Sequence, residues 1–197
     1  TELYEFGRGL FDRKLQKMRQ HAESGNRYRD RLRRQPPTRS CTITFDGPLH
    51  GYGWQERELL RNGRYARWTG PEPVSTIQVR IEAESDLRLS VLARWALVPE
   101  NIEQLRLRVN GHELRVERLF SEVGQYSSVL CTARVPRGAI RNDDVTEIEI
   151  EVPGVCRPAD VIPDSPDVRQ LGVMIDWICL SPMPDADGRE LGLSGLR

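Results

Sequence analysis

The sequence predicts a mainly β protein, an antiparallel two-sheet sandwich of jelly-roll type that follows one N-terminal α-helix. Residues 1–34 contain no proline, and several of their apolar residues recur at helical spacing. From residue 41 onward, apolar and polar residues alternate instead, which is the pattern of half-buried strands. Asn110 and Gly111 separate two alternating runs, and this pair favours a type I′ hairpin turn because both positions need a positive φ.

The predicted helix is polar apart from a narrow apolar stripe. Leu3, Phe6 and Leu10 follow the i, i+3, i+7 spacing, and the stripe continues less regularly toward residue 32. Such a helix gains little stability from propensity alone and needs a partner surface for its stripe. That surface is the body of the protein, a second copy of the helix, or a preceding domain. The Pro36–Pro37 pair ends the helix, because proline cannot continue it and disfavours helix in the residue before.

The chain of 197 residues is long enough for one domain with a sizeable core and an appendage. We predict a basic amphipathic arm over residues 1–35, a β-sandwich module over 36–182 and a flexible tail over 183–197. The arm holds ten Lys or Arg against five Asp or Glu, whereas the rest holds 19 against 24. This asymmetry indicates a separate role for the arm, as a coiled coil or docking segment. The acidic body argues against nucleic acid as a partner, because phosphate binding depends on clustered Lys and Arg.

Seven alternating segments account for eight or nine predicted strands. They are residues 41–45, 74–82, 86–95, 105–119, 127–135, 145–152 and 171–180. A strand is also expected to begin at residue 64. No segment between the strands has the pattern of a crossover helix, so the sheets are expected to be antiparallel. The polar residues along one face of most strands fit sheets that contact water on one side.

The sequence lacks the short motifs of the common enzyme classes. It contains no G-x-S-x-G nucleophile elbow, no P-loop, no H-E-x-x-H zinc helix and no G-x-G-x-x-G loop. The histidines are too scattered for a catalytic triad, at His21, His50 and His112. The cysteines stand far apart without metal-ligand spacing, and we predict reduced, partly buried thiols at Cys41, Cys131, Cys156 and Cys179. Neither a metal nor another cofactor is expected.

The sequence also lacks membrane and export signals. No apolar run approaches the ~18 residues that a membrane-spanning helix needs. Residues 1–20 have neither the apolar core nor the small-residue cleavage site of a signal peptide. These features predict a cytoplasmic location.

Carboxylates near a tryptophan leave a glycoside hydrolase or lyase as a less favoured alternative. Glu56 and Glu58 lie close to Trp54. Glycoside hydrolysis needs two carboxyl groups about 5–10 Å apart across the sugar, and the sequence singles out no such pair. The segment "DSPDVR", residues 164–169, resembles part of a calcium loop but lacks its regular spacing of acidic ligands.

Three segments together resemble a known family. They are "GYGWQERE" (51–58), "RYARWTGPE" (64–72) and "PDSPDVRQLGVMIDWICL" (163–180). They look like an accessory β-sandwich module, jelly-roll and carbohydrate-binding-like, of bacterial surface-polysaccharide proteins. In that family the module accompanies glycosyltransferase and methyltransferase domains, usually in the cytoplasm. Its pattern runs Gly-Trp-x-x-x-Glu, Arg-Trp-x-Gly, Asn-Gly and Asp-x-Arg-x-Leu-Gly, and the resemblance covers residues 41–181.

Most of this pattern is present. Arg67–Gly70, Asn110–Gly111 and Asp167–Gly172 fit it. In Gly53–Glu56 the first glutamate comes earlier than the pattern places it, although Glu58 is also available.

The resemblance implies a non-catalytic module that binds a glycan or positions a neighbouring enzyme in O-antigen or capsule-type biosynthesis or export. Its architecture is similar to that of the carbohydrate-binding module at the C-terminus of O-antigen export ATPases. The basic arm resembles the coiled-coil spacers that link or oligomerise such enzymes. The expected partners are therefore a polysaccharide, and a protein or second copy contacted through the helix, with a homo-oligomeric and peripherally membrane-associated state.

The candidate ligand-binding residues come from the two aromatic segments. A pyranose C–H face stacks on an indole, while planar polar side chains bind the sugar hydroxyls. The candidates are Tyr52, Trp54, Glu56, Glu58, Arg64, Tyr65, Arg67 and Trp68. Trp54 is the preferred ligand contact because it follows glycines in an expected loop. Trp68 is expected to face inward as core, with Arg67 facing outward.

The remaining aromatic and charged residues are expected to be structural. Trp95 and Trp177 lie in alternating strands and are predicted to be core, while Asp167 and Arg169 are predicted to pair with each other or with the Arg-Trp turn. The alternative from another functional class is an oligomerisation or scaffold domain without a sugar site. Burial of all four tryptophans would favour the scaffold, and an exposed aromatic groove would favour glycan binding.

Overall fold

Residues 28–123 and 126–183 are described by a computed structural model, and in this part of the chain eleven β-strands form two antiparallel sheets. The strands are β1 (Cys41–Thr44), β2 (Trp54–Leu59), β3 (Tyr65–Thr69), β4 (Val74–Val79), β5 (Leu87–Ala96), β6 (Arg106–Val109), β7 (His112–Leu114), β8 (Val116–Val123), β9 (Tyr126–Val135), β10 (Thr146–Glu151) and β11 (Val173–Pro182). The helical segments are α1, described over residues 28–33, α2 (Glu100–Glu103), α3 (Pro158–Val161) and a 3-10 turn at Arg137–Ala139. The prediction of a mainly β protein with antiparallel sheets is confirmed.

The larger sheet has seven strands in the order β2-β3-β11-β5-β9-β8, and β1 also pairs with β11. Along one edge of β11, Met174 and Ile175 pair with β3, while the stretch from Trp177 to Leu180 pairs with β1. The smaller sheet has four strands in the order β4-β10-β6-β7. The last described strand, β11, therefore lies in the interior of the larger sheet.

The facing sides of the two sheets share one apolar core. The larger sheet contributes fully buried side chains that include Leu89, Val91, Ile175 and Ile178, and the smaller sheet contributes Ile77, Leu107, Ile148 and Ile150. Burial of each such side chain stabilises the fold by about 1.5–3 kcal/mol. We use "outer face" for the side of the seven-stranded sheet that points away from this core.

The predicted hairpin forms at Asn110 and Gly111. Their φ angles are +51° and +78°, and the two residues connect β6 to β7. The second alternating run does not continue in one sheet, however. It ends in the smaller sheet at Leu114, and after Arg115 the chain enters the larger sheet as β8. The predicted run 105–119 is therefore divided between the two sheets.

The last turn of the predicted arm packs on the body. Leu32 is buried, the Tyr28 ring stacks on the His50 ring, and Arg33 Nε donates to Asp144 Oδ1 over 2.8 Å. The helix ends before the two prolines, as predicted, and the Gln35 amide donates to the Leu32 carbonyl. The rest of the predicted arm and the predicted tail from residue 184 lie outside the described residues.

Acidification is expected to weaken the attachment of α1. The hydrogen bond from Arg33 lowers the pKa of Asp144 from 3.8 to about 2. Because the folded-state pKa is depressed, the stability that Asp144 adds is present above its unfolded pKa and is lost as the pH falls toward 2. The difference in free energy of unfolding between the native protein and Asp144→Asn should therefore shrink as the pH falls from 5 to 2, measured by thermal unfolding. The neighbouring exposed residue gives the matched control, Asp143→Asn, and a difference for Asp144→Asn that stays constant from pH 5 to 2 would contradict the prediction.

Candidate functional site

The Gly-Trp segment is packed along the smaller sheet and is not an open loop. The Thr76 amide donates to the Tyr52 carbonyl, and the Gln78 amide donates to the His50 carbonyl, each over 2.8 Å. Residues 50–53 thus follow the free edge of β4 in an extended path. Covering an edge in this way satisfies backbone groups that would otherwise be open to pairing with another chain.

The glycines of this segment serve that close backbone approach. A Cβ atom on Gly51 would overlap the carbonyl oxygen of Thr76. Gly53 has a φ of +79°, in the left-handed region, and a Cβ atom there would overlap the carbonyl oxygen of Val74. The "GYG" sequence is therefore explained by packing against β4.

Trp54 connects the two sheets. It is the first residue of β2 in the larger sheet, not a loop residue, and its Nε1–H donates to the Thr76 carbonyl over 2.8 Å. Its ring packs against Phe45 at a centroid distance of 5.3 Å and against the shared core. The indole N–H is thus already used by the protein.

Side chains alternate between the two faces of β3 as predicted, but the faces are exchanged: Tyr65 and Arg67 lie on the side of the shared core, and Trp68 lies on the outer face. Trp68 is 2 % exposed, which confirms that it is buried, yet it lies in a second small cluster on the outer face. Tyr65 packs against the shared core, and Arg67 is paired with the core residue Ile175. Arg67 Nη1 donates to the Gln55 carbonyl over 3.0 Å. The expectation that Arg67 faces outward was wrong, because both faces of β3 are covered.

Glu58 belongs to an ion-pair group at the loop before β11. Arg169 contacts Asp167 with Nη2 to Oδ2 at 2.6 Å and Glu58 with Nη1 to Oε1 at 2.8 Å. The predicted pairing of Asp167 with Arg169 is confirmed. The hydrogen bond to Asp167 raises the pKa of Arg169, and the reciprocal bond lowers the pKa of Asp167. The group fastens this loop to β2.

Two further candidates, Tyr52 and Glu56, are exposed. Tyr52 lies beside the smaller sheet, and burial together with the charges of Glu147 and Glu149 raises its pKa. The eight predicted ligand-binding residues are therefore divided among several surfaces and do not line one common site.

Two β-bulges bring a different set of residues together. In the pairing of β5 with β11, Trp95 lies opposite Met174 and Ala93 lies opposite Ile175, so that Arg94 is an extra residue. Asp176 is likewise extra, between Ile175 and the following residue. Successive side chains of a regular strand point to opposite faces, but a bulge allows two neighbours to share one face.

The consequence is that Arg94 and Trp95 from β5, and Asp176 and Trp177 from β11, all lie on the outer face. Arg64, from the turn between β2 and β3, joins them. We call the surface formed by Arg64, Arg94, Trp95, Asp176 and Trp177 the bulge face.

A buried carboxylate organises the bulge face. Asp176 is 0 % exposed, and its Oδ2 accepts hydrogen bonds from Arg94 Nε at 2.8 Å and from Arg94 Nη2 at 2.5 Å. Its Oδ1 lies 3.1 Å from Arg64 Nη2 but has no hydrogen-bond partner. The side chains of Arg64 and Arg94 remain 44 % and 28 % exposed. One carboxylate thus holds two guanidinium groups at the surface.

Trp95 supplies an exposed aromatic ring beside these charges. It is 51 % exposed, and its ring contacts the Trp68 ring at a centroid distance of 5.6 Å. Trp177 is half-buried. It lies three residues along β11 from Met174, which pairs with Trp95, so about 10 Å of strand separates the positions of the two tryptophans.

The prediction that Trp95 and Trp177 are both core was wrong, because Trp95 is half exposed and Trp177 is half-buried on the outer face. Regular alternation from the core residue Val91 would place the Trp95 side chain in the core. The extra residue Arg94 shifts the alternation by one position, so the Trp95 side chain lies on the outer face.

The four cysteines form no disulfide. Burial raises the pKa of Cys41 and of Cys131 to about 11, which keeps both thiols protonated and unreactive at neutral pH. Within residues 28–123 and 126–183, no three His, Cys, Asp or Glu side chains are grouped closely enough to hold a metal ion.

The chain matches no protein-family model, and no curated protein is significantly similar to it. None of the helices in the described ranges combines the length and the apolar character needed to cross a bilayer.

Proposed function

We propose that this protein is a non-catalytic glycan-binding module and that the bulge face is its binding site. The observation on which this rests is the half-exposed Trp95 ring beside the network of Arg64, Arg94 and Asp176. An indole offers a flat apolar surface for the C–H face of a pyranose, and adjacent guanidinium groups donate hydrogen bonds to ring oxygens and hydroxyls. Trp95 offers the first kind of contact, and Arg64 and Arg94 offer the second.

The biological setting of this proposal comes from the sequence resemblance. The segments at 51–58, 64–72 and 163–180 are similar to those of accessory modules in surface-polysaccharide biosynthesis or export. We therefore place the module in the cytoplasm, beside a glycosyltransferase or methyltransferase activity on the same or another chain, and assign it a jelly-roll sandwich. In this setting it would hold the polysaccharide or position the neighbouring enzyme.

The shape of the bulge face suits a glycan chain lying across it. The site is built on the open side of a sheet, on two adjacent central strands, and Trp177 follows Trp95 along it. A cavity of about 260 Å³ lies elsewhere, between α1 and the edges of β1 and β4. An extended ligand has access to the bulge face without entering the interior of the protein.

Glycan binding is tested by titrating the full chain with surface-polysaccharide fragments from the source organism, by calorimetry. We expect saturable binding that Trp95→Ala weakens at least about tenfold, or 1.4 kcal/mol, because the stacking surface is removed. Tyr52→Ala is the matched control, since Tyr52 is also an exposed aromatic residue but lies away from the bulge face. Loss of binding in Tyr52→Ala alone would place the site at the Gly-Trp segment, and no binding of any fragment would overturn the proposal.

A scaffold function is the second candidate, and the edge strand β8 favours it. Leu119 and Phe120 are 61 % and 69 % exposed on opposite sides of this strand, which ends the seven-stranded sheet. Exposed edge strands with apolar side chains are prone to pair with another chain. In this alternative a second copy of the chain pairs along β8. Measurement of the molecular mass in solution tests it, because a dimer is expected for the scaffold and a monomer for a glycan-binding module without this pairing.

A further inference from the structure

We propose that the bulge face selects anionic glycans, with the carboxylate of a uronic acid unit bound by Arg64 and Arg94 while the sugar ring lies on Trp95. This inference rests on the proposed function, because it assigns a ligand class to the same site. It specifies which glycans bind, because stacking on the aromatic ring alone does not distinguish acidic from neutral sugars.

The balance of charge at the bulge face supports the choice of an anion. Arg64 and Arg94 share the single carboxylate of Asp176. Elsewhere the balance is the reverse, as at Arg169, where one guanidinium group faces the carboxylates of Asp167 and Glu58. The bulge face therefore keeps a net positive charge of one within its own ion-pair group, next to an exposed aromatic ring.

The surface ion pairs of Arg39 and Arg134 have at least one carboxylate for each guanidinium group. Arg39 lies between Glu82 and Glu84, with contacts of 3.8 and 2.7 Å. Arg134 is paired with Asp86 at 2.5 Å. An excess of guanidinium over carboxylate is thus a property of the bulge face that these surface pairs do not share.

The geometry leaves donors free for a ligand. Arg94 uses Nε and Nη2 on one oxygen of Asp176, while Arg64 contributes an ion pair to the other oxygen without a hydrogen bond to it. A guanidinium group carries five N–H donors, so each arginine retains donors that point away from Asp176. Planar guanidinium groups bind planar carboxylates through paired hydrogen bonds, which is the match that a uronic acid offers.

Asp176 acts here as a positioning residue. It is fully buried beneath the two arginines and orients both guanidinium groups before a ligand arrives. Arg94 is fixed by a strand bulge, and Arg64 by a tight turn in which the Leu60 amide donates to the Arg64 carbonyl over 2.7 Å. Such preorganisation lowers the entropic cost of binding. The more exposed side chain, Arg64, is the one we expect to discriminate acidic from neutral sugars.

The test compares matched acidic and neutral polymers on the full chain. Polygalacturonate, alginate and hyaluronate are each titrated before and after chemical reduction of their carboxyl groups, which leaves the chain intact and removes the charge. We expect at least one acidic polymer to bind ten times or more tighter than its reduced form. Arg64→Gln should reduce that ratio to near one, and Trp95→Ala should weaken both forms.

The control for general electrostatic attraction is Arg88→Gln. Arg88 is an exposed arginine of β5, six residues from Arg94, or about 20 Å along the strand. The acid preference should survive in this variant. Equal loss in Arg88→Gln and Arg64→Gln would overturn the inference.

Two further outcomes separate this inference from the proposed function. Equal binding of acidic and reduced polymers, or binding of the organism's neutral fragments alone, would overturn the anion selectivity and leave glycan binding at Trp95 intact. Absence of binding by every polymer and every surface-polysaccharide fragment would overturn both.

Discussion

Replacing Trp68 with alanine is expected to lower the free energy of unfolding by about 3–5 kcal/mol. Trp68 is buried in the small outer-face cluster, where its buried neighbours are Ala66, Leu171 and Met174. The cluster is too small to close over the space that a missing indole leaves. The cost therefore includes both the lost burial and the cavity.

The measurement is urea unfolding of Trp68→Ala beside Trp95→Ala. The two rings touch, but Trp95 is half exposed, so its removal should cost only about 1–2 kcal/mol. Trp68→Ala should also weaken glycan binding, because the Trp95 ring loses the surface that supports it. Equal losses of stability in the two variants would contradict the burial assignment, and unchanged glycan binding in a folded Trp68→Ala would show that Trp95 needs no support.

Replacing Asp176 with asparagine is expected to cost about 2–3 kcal/mol of stability. Removal of one partner from a fully buried ion pair typically costs about 3–5 kcal/mol, because the other charge stays buried without compensation. Asp176 is fully buried, but Arg64 and Arg94 are partly exposed and regain some hydration. The expected loss therefore lies below the range for a wholly buried pair.

A double-mutant cycle isolates this interaction. The free energies of unfolding of Asp176→Asn, Arg94→Gln and the double variant give the coupling between the two side chains, which should exceed about 1 kcal/mol for groups in direct contact. The matched control is the same cycle on Asp86 and Arg134, because Arg134 is exposed and surface pairs contribute about 0–1 kcal/mol. A coupling no larger than the control would mean that Asp176 does not organise the bulge face.

Local signals in the sequence predicted the parts of the fold that depend on local chemistry. The hairpin at Asn110 and Gly111 forms because few residue pairs tolerate two positive φ angles. The helix ends before the Pro36–Pro37 pair for an equally local reason. Strict alternation of apolar residues located the strands with one buried face, including β9 and β10.

Sequence patterns were less informative where the chain changes sheets. The segment that contains β2 is rich in glycine and charge, so it was predicted to be a loop around Trp54. Its glycines are required by the carbonyl groups of β4, which are distant in the sequence. Alternation likewise does not predict that β7 and β8 separate at Arg115, because apolar and polar residues alternate with the same period in both strands.

The candidate site was only partly predictable for a related reason. Arg64 is the one residue of the bulge face among the predicted ligand contacts. Regular alternation of buried and exposed residues along β5 and β11 predicts that Trp95 and Trp177 are buried. Each bulge adds one residue and so exchanges the faces of the residues that follow it. One signal was available, since each tryptophan directly follows a charged residue, Arg94 or Asp176, in an otherwise apolar stretch.

The position of β11 has a consequence for how the protein acquires its structure. β11 is the last described strand in chain order, yet it joins β1 and β3 on one side to β5 on the other. While the ribosome is still adding residues 173–182, the larger sheet lacks the strand that joins its parts. The pair β2-β3 and the group β5-β9-β8 are then separate pieces with open edges, and β1 has no partner strand in the sheet. Pairing across such long sequence separations is slow, so closure follows synthesis, and a nascent chain that stalls before this strand keeps these edges available for aggregation.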